Sequence, residues 1–326
     1  MRKIRRISQL FFLAIFVFLL TRAAYPLHEA YPVDLFPRLS PVLGISASLA
    51  ARTLIVAFWP ALIVVVLTLV LGRAFCGWAC PMGTTLDISD KLFAKKKNAI
   101  SDAKPAHRRW KFALLLAVVL GSVFGLQLAG WFDPLSLITR TYAMVFQPYA
   151  NFLAEKTLNA LFLVPGLEGV LYPVEDFLRD YILSFQQLVF SSHVLFAGLF
   201  LGIAALGAIH RRFWCRSLCP LGAFFSLAGR YPLLRRRVSE ECTSCLKCQR
   251  ACMTDAISDK GKKTLRGECV YCFTCEDICP EHAISFGFRS REPQGVSGGT
   301  LTRRAFVTTA AAGAAAIPSR GRLRTA

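Results

Sequence analysis

The 326-residue sequence is poor in charge, and acidic residues are the scarcer sign. Charged residues make up 18% of the chain, against about 25% in an ordinary globular protein. Asp and Glu number 20 and Lys and Arg 39, while 54% of the residues are hydrophobic. We therefore expect a chain with several membrane spans rather than a wholly soluble domain.

Motifs for nucleotide chemistry are missing as well. The sequence has no G-x-G-x-x-G loop, no P-loop and no nucleophile elbow, so we expect no nicotinamide or nucleotide site on this chain. No clean small-x-small cleavage site follows the basic segment 1–6 and its apolar run. The first helix is therefore expected to stay uncleaved.

The net charge of +19 does not mark a nucleic-acid surface. Residues 238–290, which hold most of the cysteines, carry seven Lys and Arg against eight Asp and Glu. The surplus cations lie beside apolar segments, in residues 2–6, 95–97 with 108–111, 211–216 and 235–237. This is the positive-inside pattern of a membrane protein. We expect membrane lipid around the chain and no nucleic-acid partner.

Four apolar windows approach the length of about 20 residues that crosses a hydrocarbon core. They are Ile7–Ala24, Ala51–Leu71, Trp110–Gly130 and Val189–Ile209. With the basic N-terminus inside, residues 73–111 lie inside with nine Lys and Arg, and residues 25–50 lie outside with one. We interpret the outer segment 131–188 as amphipathic helices on the membrane surface, broken at Pro148, Pro165–Gly166 and Pro173. An extra pair of short spans is the alternative.

Eight cysteines form two runs with one spacing, C-x2-C-x2-C-x3-C. The first run is Cys242, Cys245, Cys248 and Cys252, and the second is Cys269, Cys272, Cys275 and Cys279. This spacing is typical of bacterial ferredoxins with two [4Fe-4S] clusters, in which the fourth cysteine of each run ligates the other cluster. The first cluster would take Cys242, Cys245, Cys248 and Cys279, and the second Cys269, Cys272, Cys275 and Cys252. Structural zinc is the alternative, but zinc sites usually pair two C-x2-4-C knuckles.

Two details accompany these runs. Ile257 and Ile284 follow them at matching places, and we expect each to be an apolar cover between the clusters. Met253 stands where many such motifs carry proline after the fourth cysteine. That replacement removes no ligand.

The other four cysteines belong to an internal repeat of the form R-x-[FW]-C-x-x-x-C-P-x-G. Residues 73–83 align with residues 212–222, and each copy follows an apolar window that enters the cytoplasm. We expect the two cysteines of a copy to share one face of a helix end, with the following proline ending or bending that helix. If a pseudo-two-fold axis relates the copies, all four thiols converge. The cysteines are Cys76, Cys80, Cys215 and Cys219.

Three roles stay open for these four cysteines. They could be ligands for a metal or a further cluster, a redox-active thiol pair, or a structural motif at a helix end. The repetition of arginine, proline and glycine around both pairs argues against chance but does not choose among the three.

Near the C-terminus, residues 302–317 resemble a twin-arginine export signal. Arg303 and Arg304 are paired, Phe306 follows two positions on, and an Ala-rich stretch leads to Ile317. We expect the natural chain to continue past Ala326 into an outer domain, with an accidental match as the alternative.

The paired CxxxCP motifs combined with the two terminal cysteine runs, over residues 2–288, resemble the NapH/NosR-type membrane polyferredoxins. The resemblance implies an electron-transfer component of the cytoplasmic membrane, often linked to the quinone pool and to an outer-side respiratory reductase. It implies that the eight cysteines of the runs ligate clusters, and it fixes no role for the CxxxCP cysteines. The outer flavin-binding domain of the NosR branch is lacking, so the chain looks closer to the shorter NapH branch.

We predict an α-helical multi-pass membrane bundle of about four spans, forming two similar hairpins, at residues 1–237. A small α+β ferredoxin domain with two [4Fe-4S] clusters follows at 238–290 on the cytoplasmic side of the inner membrane, and a flexible tail at 291–326. The predicted function is to pass electrons between a cytoplasmic or quinone donor and an outer-side respiratory partner. The chain is then an electron-transfer subunit of quinol dehydrogenase type rather than a complete enzyme. The alternative function is a membrane metal reductase or metallocofactor-maturation factor that uses the CxxxCP thiols.

Overall fold

The computed structural model describes residues 1–23, 32–93, 106–162, 169, 171–173, 175–176, 191–207 and 210–288. The helices are α1 (Arg2–Thr21), α2 (Leu35–Arg38), α3 (Pro41–Ala51), α4 (Trp59–Leu71), α5 (Ala74–Trp78), α6 (Pro81–Phe93), α7 (Ala106–Val123), α8 (Ala129–Phe132), α9 (Pro134–Thr141), α10 (Gln147–Leu161), α11 (His193–Gly207), α12 (Phe213–Ser217), α13 (Pro220–Ala228), α14 (Lys247–Ala251) and α15 (Thr274–Asp277). The strands are β1 (Leu234–Val238), β2 (Ile257–Ser258), β3 (Lys263–Thr264) and β4 (Ile284–Phe288).

A capping side chain followed by proline begins several of these helices. Ser40 caps α3 and Asp133 caps α9, each accepting backbone N–H groups of the first turn, and a proline occupies the first helical position in both. Proline is tolerated there because that position needs no intrahelical N–H bond. The Ser40 hydroxyl also donates to the buried Asp133 carboxylate at 2.6 Å, which joins the starts of the two helices.

The second predicted span is not one helix, so that prediction is wrong in its extent. The helix α3 ends at Ala51, and Arg52 takes a left-handed conformation with φ +52°. A 3-10 turn at Val56–Phe58 precedes α4, and Pro60 lies in the first turn of α4. The chain therefore breaks at Arg52, near the start of the window, and the helical stretch that follows runs from Val56 to Leu71.

The predicted break at Pro148 is also wrong. The chain is helical from Pro134 to Leu161, and a π-helical turn at Tyr142–Phe146 joins α9 to α10. Pro148 lies in the first turn of α10, where a widened turn accommodates the missing N–H of proline.

Among the described residues, α1 is the one helix long and apolar enough to cross a membrane. The apolar stretches Pro41–Ala51, Val56–Leu71 and His193–Gly207 are shorter, at 10–17 residues. Large apolar side chains are nevertheless exposed on α1, α4 and α11, including Phe11, Leu62 and Val194, which are 59%, 68% and 67% exposed. These helices therefore present apolar surfaces outward.

Helices α6 and α13, which follow the two CxxxC segments, lie inside the helical part. Met82 and Leu86 on α6 and Leu221 and Phe225 on α13 are at most 2% exposed. The helix α6 packs against α1, α9 and α11, whereas α13 packs against α3, α4 and α7. The two helices that begin with Cys-Pro are thus enclosed by different sets of apolar helices.

The C-terminal part is held together by two short antiparallel pairs. Strand β1 pairs with β4, with Leu234 opposite Phe288 and Val238 opposite Ile284, and β2 pairs with β3. This part packs closely on the helices at Gly72, which has φ +67°. A Cβ atom at Gly72 would lie 2.5 Å from the Tyr271 ring, so only glycine permits the contact.

Some predicted features lie outside the described residues. They are the tail 291–326 with its twin-arginine-like segment, and most of the segment 163–190, including Pro165–Gly166.

Candidate functional site

The two C-terminal cysteine runs adopt the same backbone conformation. The residues on either side of each middle cysteine are left-handed: Ser244 and Leu246 have φ +55° and +62°, and Tyr271 and Phe273 have φ +49° and +55°. Successive left-handed turns aim backbone N–H groups toward one point, which suits an anionic group. The third residue after each fourth cysteine is left-handed as well, at Asp255 and His282.

The first predicted ligand set lines one recess. The recess has a volume of about 320 Å³ including its open mouth. Its walls carry three cysteines of the first run and the fourth cysteine of the second run, which is the crossed combination that the spacing predicts. These cysteines are Cys242, Cys245, Cys248 and Cys279. Cys245 is exposed, so this recess faces solvent.

The second predicted set is more deeply enclosed. Burial raises the pKa of the Cys269 thiol well above its ordinary value, and the nearby thiols of Cys252, Cys272 and Cys275 raise it further. The Cys252 sulfur accepts the Ala256 N–H at 3.3 Å, a kind of hydrogen bond that tunes cluster potentials. The structure therefore brings together the second crossed set too.

The two sets meet across a small apolar core. Cys248 from the first set and Cys275 from the second pack with Ile257 and Ile284 in one buried cluster. The two isoleucines thus lie next to a cysteine of each set, where they exclude water.

One cation that the sequence did not single out lies at this junction. The Arg236 guanidinium Nη2 is 3.8 Å from the Cys248 sulfur. Its Nη1 donates to the Gly261 carbonyl at 3.0 Å and to the Thr264 hydroxyl at 3.1 Å. The same charge acts on Cys275, whose pKa is raised by burial and pulled down by Arg236. Arg236 therefore serves both cysteine sets at once.

The CxxxCP cysteines do not share a helix, contrary to the prediction. Cys76 lies in α5, which ends at Trp78, and Cys80 immediately precedes α6. The second copy repeats this division between α12 and α13. The prolines therefore begin α6 and α13 instead of ending the helices before them, because proline fits the first helical position.

The second cysteine of each pair caps the helix that follows. The Cys219 sulfur accepts the Gly222 N–H at 3.1 Å, and the Cys80 thiol accepts the N–H of Gly83. Both thiols therefore lie at a helix N-terminus, where the helix dipole favours a negative charge.

The arginines that open the two repeats bind each other's motif. Arg212 donates to the Cys76 carbonyl at 3.0 Å and to the Gly83 carbonyl at 3.2 Å. Arg73 donates to the Cys215 carbonyl at 3.2 Å. Each repeat therefore supplies an arginine to the cysteine motif of the other, as expected for two copies related by a pseudo-two-fold axis.

The four thiols do interact with one another. The pKa of Cys215 is raised to about 11, mainly by burial and also by the Cys76 thiol, while Arg212 lowers it. Burial likewise raises the pKa of Cys219, and Cys215 and Cys76 add to the increase. A redox-active thiol pair needs an accessible cysteine with a lowered pKa. Cys76, Cys80 and Cys219 are buried, which disfavours thiol exchange with a soluble partner.

Each repeat arginine belongs to a buried group of two cations and one carboxylate. Arg73 and Lys111 both contact Glu268, with the Arg73 contact at 2.8 Å. Arg212 and Arg5 both contact Asp87, at 2.6 Å and 3.4 Å. Each group carries a net charge of +1. Four thiolates around an oxidised [4Fe-4S] core carry about −2, so the charge of the surroundings fits such a centre.

In the described part of the chain, no group of three His, Cys, Asp or Glu side chains is arranged closely enough to hold one metal ion. The assignment of the cysteines to clusters therefore rests on their spacing in the sequence and on the backbone and charges around them.

The second cysteine run contacts the first CxxxCP motif directly. A Cβ atom on Gly77 would lie 2.6 Å from the Val270 carbonyl oxygen, so the two backbones touch. The Trp78 indole N–H donates to the Tyr271 carbonyl at 3.0 Å. Val270 and Tyr271 lie between Cys269 and Cys272, so the loop of the second set rests on α5.

Sequence reasoning missed most of the polar partners of this site. Arg73 and Arg212 could have been recognised from the sequence, because they occupy the same position in both repeats. Glu268 and Lys111 belong to no sequence motif, and only the tertiary fold brings them next to Arg73. Met253, noted as a departure from the usual proline, packs against the helical core, and its sulfur is 3.6 Å from Arg5 Nη1.

Comparisons with known proteins agree with this chemistry. Residues 53–99 and 192–239, which contain the two CxxxCP motifs, match the family described as 4Fe-4S binding domain. The chain is 28% identical to the ferredoxin-type protein NapH of Haemophilus influenzae over 76% of its own length and 73% of that protein. It is 28% identical to the methylamine utilization ferredoxin-type protein MauN of Methylorubrum extorquens, over 59% of this chain and 51% of the relative. Protein NirI of Paracoccus denitrificans is 28% identical over 23% of its length. No solved structure matches the chain significantly.

The repeated cysteine loops and these similarities define an iron–sulfur electron-transfer protein. The resemblance predicted from the sequence is confirmed: the chain is similar to the ferredoxin-type proteins NapH and MauN. It spans about half of the MauN protein, so activity and partners are considered below as proposals.

Proposed function

We propose that this chain carries electrons from the cytoplasm into the bacterial inner membrane through three iron–sulfur centres. The first crossed set, at Cys242, Cys245, Cys248 and Cys279, is the entry point because it faces solvent. The second set, at Cys269, Cys272, Cys275 and Cys252, comes next. The CxxxCP cysteines Cys76, Cys80, Cys215 and Cys219 form the third centre, inside the helical part.

The observation that carries this order is the contact between the loop of the second set and α5. Gly77 touches Val270 through the backbone, and the Trp78 indole binds the carbonyl of Tyr271. A residue between two ligands of the second set therefore touches the residue next to Cys76. Electron transfer is faster when two redox centres are close and water is excluded between them. The backbone contact at Gly77 and Val270 therefore favours transfer between the second crossed set and the CxxxCP centre.

The residues of this chain would hold and tune the centres, which when bound supply one-electron chemistry. Left-handed turns aim N–H groups at the two crossed sets, while Ile257 and Ile284 exclude water between them. Around the third centre, the net positive groups that contain Arg73 and Arg212 offset the charge of four thiolates. The match of these segments to a 4Fe-4S binding family supports the same assignment.

The membrane placement rests on α1 and on the exposed apolar surfaces. The helices α1, α4, α7 and α11 correspond to the four apolar windows, with the basic loops on the cytoplasmic side. The respiratory partner on the outer side and a link to the quinone pool follow from the resemblance to NapH-type proteins. The chain would then be a subunit of a larger oxidoreductase rather than a complete enzyme.

A single double variant tests the order of centres. Cys76→Ser/Cys215→Ser removes two ligands of the third centre and none of the crossed sets. In anaerobic vesicles with a low-potential viologen as donor, the electron paramagnetic resonance signals of the crossed sets should remain. Reduction of a membrane-soluble quinone analogue should be lost. Unchanged quinone reduction would show that electrons leave the chain without passing the CxxxCP site.

A further inference from the structure

A basic cleft opens where the C-terminal part meets the helices. Its volume is about 1710 Å³ including the open mouth. Six cationic side chains and one carboxylate line it: Arg108, Arg230, Arg236, Lys262, Lys263, Arg266 and Glu268. The carboxylate is Glu268, which is already bound to Arg73 and Lys111. The cleft therefore has a strong surplus of positive charge.

Much of that charge is not neutralised by the protein. Lys262 and Arg266 are exposed, and neither forms a salt bridge within the described ranges. The Arg236 Nε is buried and has no hydrogen-bond partner. The segment 238–290 is close to neutral overall, and three of its seven cations, Lys262, Lys263 and Arg266, line this wall.

Apolar and aromatic side chains border the same cleft. Leu227, Tyr231 and Leu265 line it and are 56%, 69% and 46% exposed. The Arg230 guanidinium lies 5.6 Å from the centre of the Tyr231 ring. Exposed tyrosine beside cations and aliphatic side chains is typical of the interface between a membrane and water.

We propose that the basic cleft binds an anionic phospholipid, with the headgroup phosphate among its cations and the acyl chains leaving past Leu227. Cytoplasmic-side basic pockets next to membrane helices suit such headgroups. The proposal rests on the membrane placement given above. The cleft combines cations with exposed apolar side chains. A phospholipid matches both with its anionic headgroup and its acyl chains, whereas an acidic soluble protein matches only the cations.

The lipid would connect the two parts of the molecule. Arg108 and Arg230 belong to the helical wall of the cleft, whereas Lys262 and Arg266 belong to the opposite wall. A phosphate between them would offset their mutual repulsion. Tyr271, in the loop of the second cysteine set, also lines the cleft. The bound lipid would therefore help to hold this loop against α5.

Native mass spectrometry of the detergent-solubilised holoprotein tests this directly. The protein is titrated with phosphatidylglycerol or with phosphatidylcholine, and retained lipid is counted. The test variant is Lys262→Gln/Arg266→Gln. The matched control is Lys247→Gln/Arg250→Gln, which removes two exposed cations outside the cleft. Inorganic phosphate is added in a separate arm.

We expect wild type and control to retain phosphatidylglycerol in preference to phosphatidylcholine. The test variant should bind it about twenty-fivefold more weakly, from about fivefold for each of the two cations. Equal retention of both lipids, or an unaffected test variant, would overturn the proposal. Displacement of phosphatidylglycerol by inorganic phosphate alone would also overturn the proposal, since the site would then be specific for free phosphate.

Failure of the membrane placement has a different signature. In that case the protein stays monodisperse without detergent and retains neither lipid. A protein that needs detergent but shows no lipid preference contradicts the cleft proposal alone.

Discussion

The Arg73 guanidinium lies 2.8 Å from the Glu268 carboxylate across 195 positions of sequence. Arg73 opens the first CxxxCP repeat, and Glu268 immediately precedes Cys269 of the second cysteine run. This ion pair, together with Lys111 and the Ser226 hydroxyl at 3.2 Å, ties the C-terminal part to the helical part. The carboxylate therefore has both a structural and an electrostatic role.

Replacing this carboxylate should loosen the junction. Glu268→Gln leaves Arg73 and Lys111 buried without their counter-charge, and breaking a buried pair costs about 3–5 kcal/mol. Thermal unfolding should show a clear loss of stability. The matched control is Glu241→Gln, at the equivalent position before Cys242, where the side chain is exposed. Equal stability of both variants would contradict the assigned role.

The second buried carboxylate predicts an acid dependence. Burial alone would raise the pKa of Asp87, but Arg212 and Arg5 outweigh it, so the pKa lies below its ordinary value. Because the Asp87 pKa is lower in the folded state than in the unfolded state, the ionised carboxylate stabilises the fold at pH values above the unfolded-state pKa of about 3.9. This stabilisation is lost as the pH falls through the folded-state pKa. Stability measured from pH 6 downward should therefore begin to fall as the pH drops below about 4. Asp87→Asn should have a shallower slope there; an unchanged slope would count against this ion pair.

A substitution that adds one methyl group tests the backbone contact between α5 and the second cysteine run. Gly77→Ala places a Cβ atom 2.6 Å from the Val270 carbonyl oxygen, so the loop must move away. We expect slower electron transfer to the third centre while the spectra of the crossed sets change little. Gly198→Ala is the control, because nothing lies within 4 Å of its Cβ position. Equal rates in both variants would remove Gly77 from the proposed route.

Arg236 should set the potentials of both crossed sets. A cation favours the reduced, more negative form of a cluster, so Arg236→Gln should lower both potentials. The shift should be on the order of 50 mV for a partly solvated charge. Redox titration with electron paramagnetic resonance gives both values, and Arg236→Lys should restore part of the loss. Arg237→Gln is the control, since the neighbouring Arg237 binds the Phe288 carbonyl instead. A shift confined to one set would contradict the shared position of Arg236.

The first three cysteines of each run could be recognised in the sequence because they form a local loop. Three cysteines within seven residues, with left-handed residues around the middle one, form a loop whose shape depends little on the rest of the chain. The repeat also led us to expect that the CxxxCP motifs lie together, and Arg73 and Arg212 each bind a carbonyl of the other motif. The helix boundaries at Pro81 and Pro220 were not expected, because proline ends one helix and begins another with the same sequence signal.

The polar partners of the site could not be derived in this way. Arg73 meets Glu268, and Arg212 meets Asp87 and the Cys76 carbonyl, only after the two repeats have packed. Such pairs are set by tertiary packing over long sequence distances. The break of the second predicted span at Arg52 is similar, since a hydropathy window of about 20 residues averages over a single charged residue near its end.

The central claim is that the chain holds two ferredoxin-type clusters and a third at the CxxxCP cysteines. Iron and acid-labile sulfide analysis of anaerobically purified protein tests it most directly. We predict about twelve irons per chain in the wild type and about eight in Cys76→Ser/Cys215→Ser, from four irons in each cluster. About eight irons in both proteins would contradict the third centre, and zinc in place of iron would contradict the whole account.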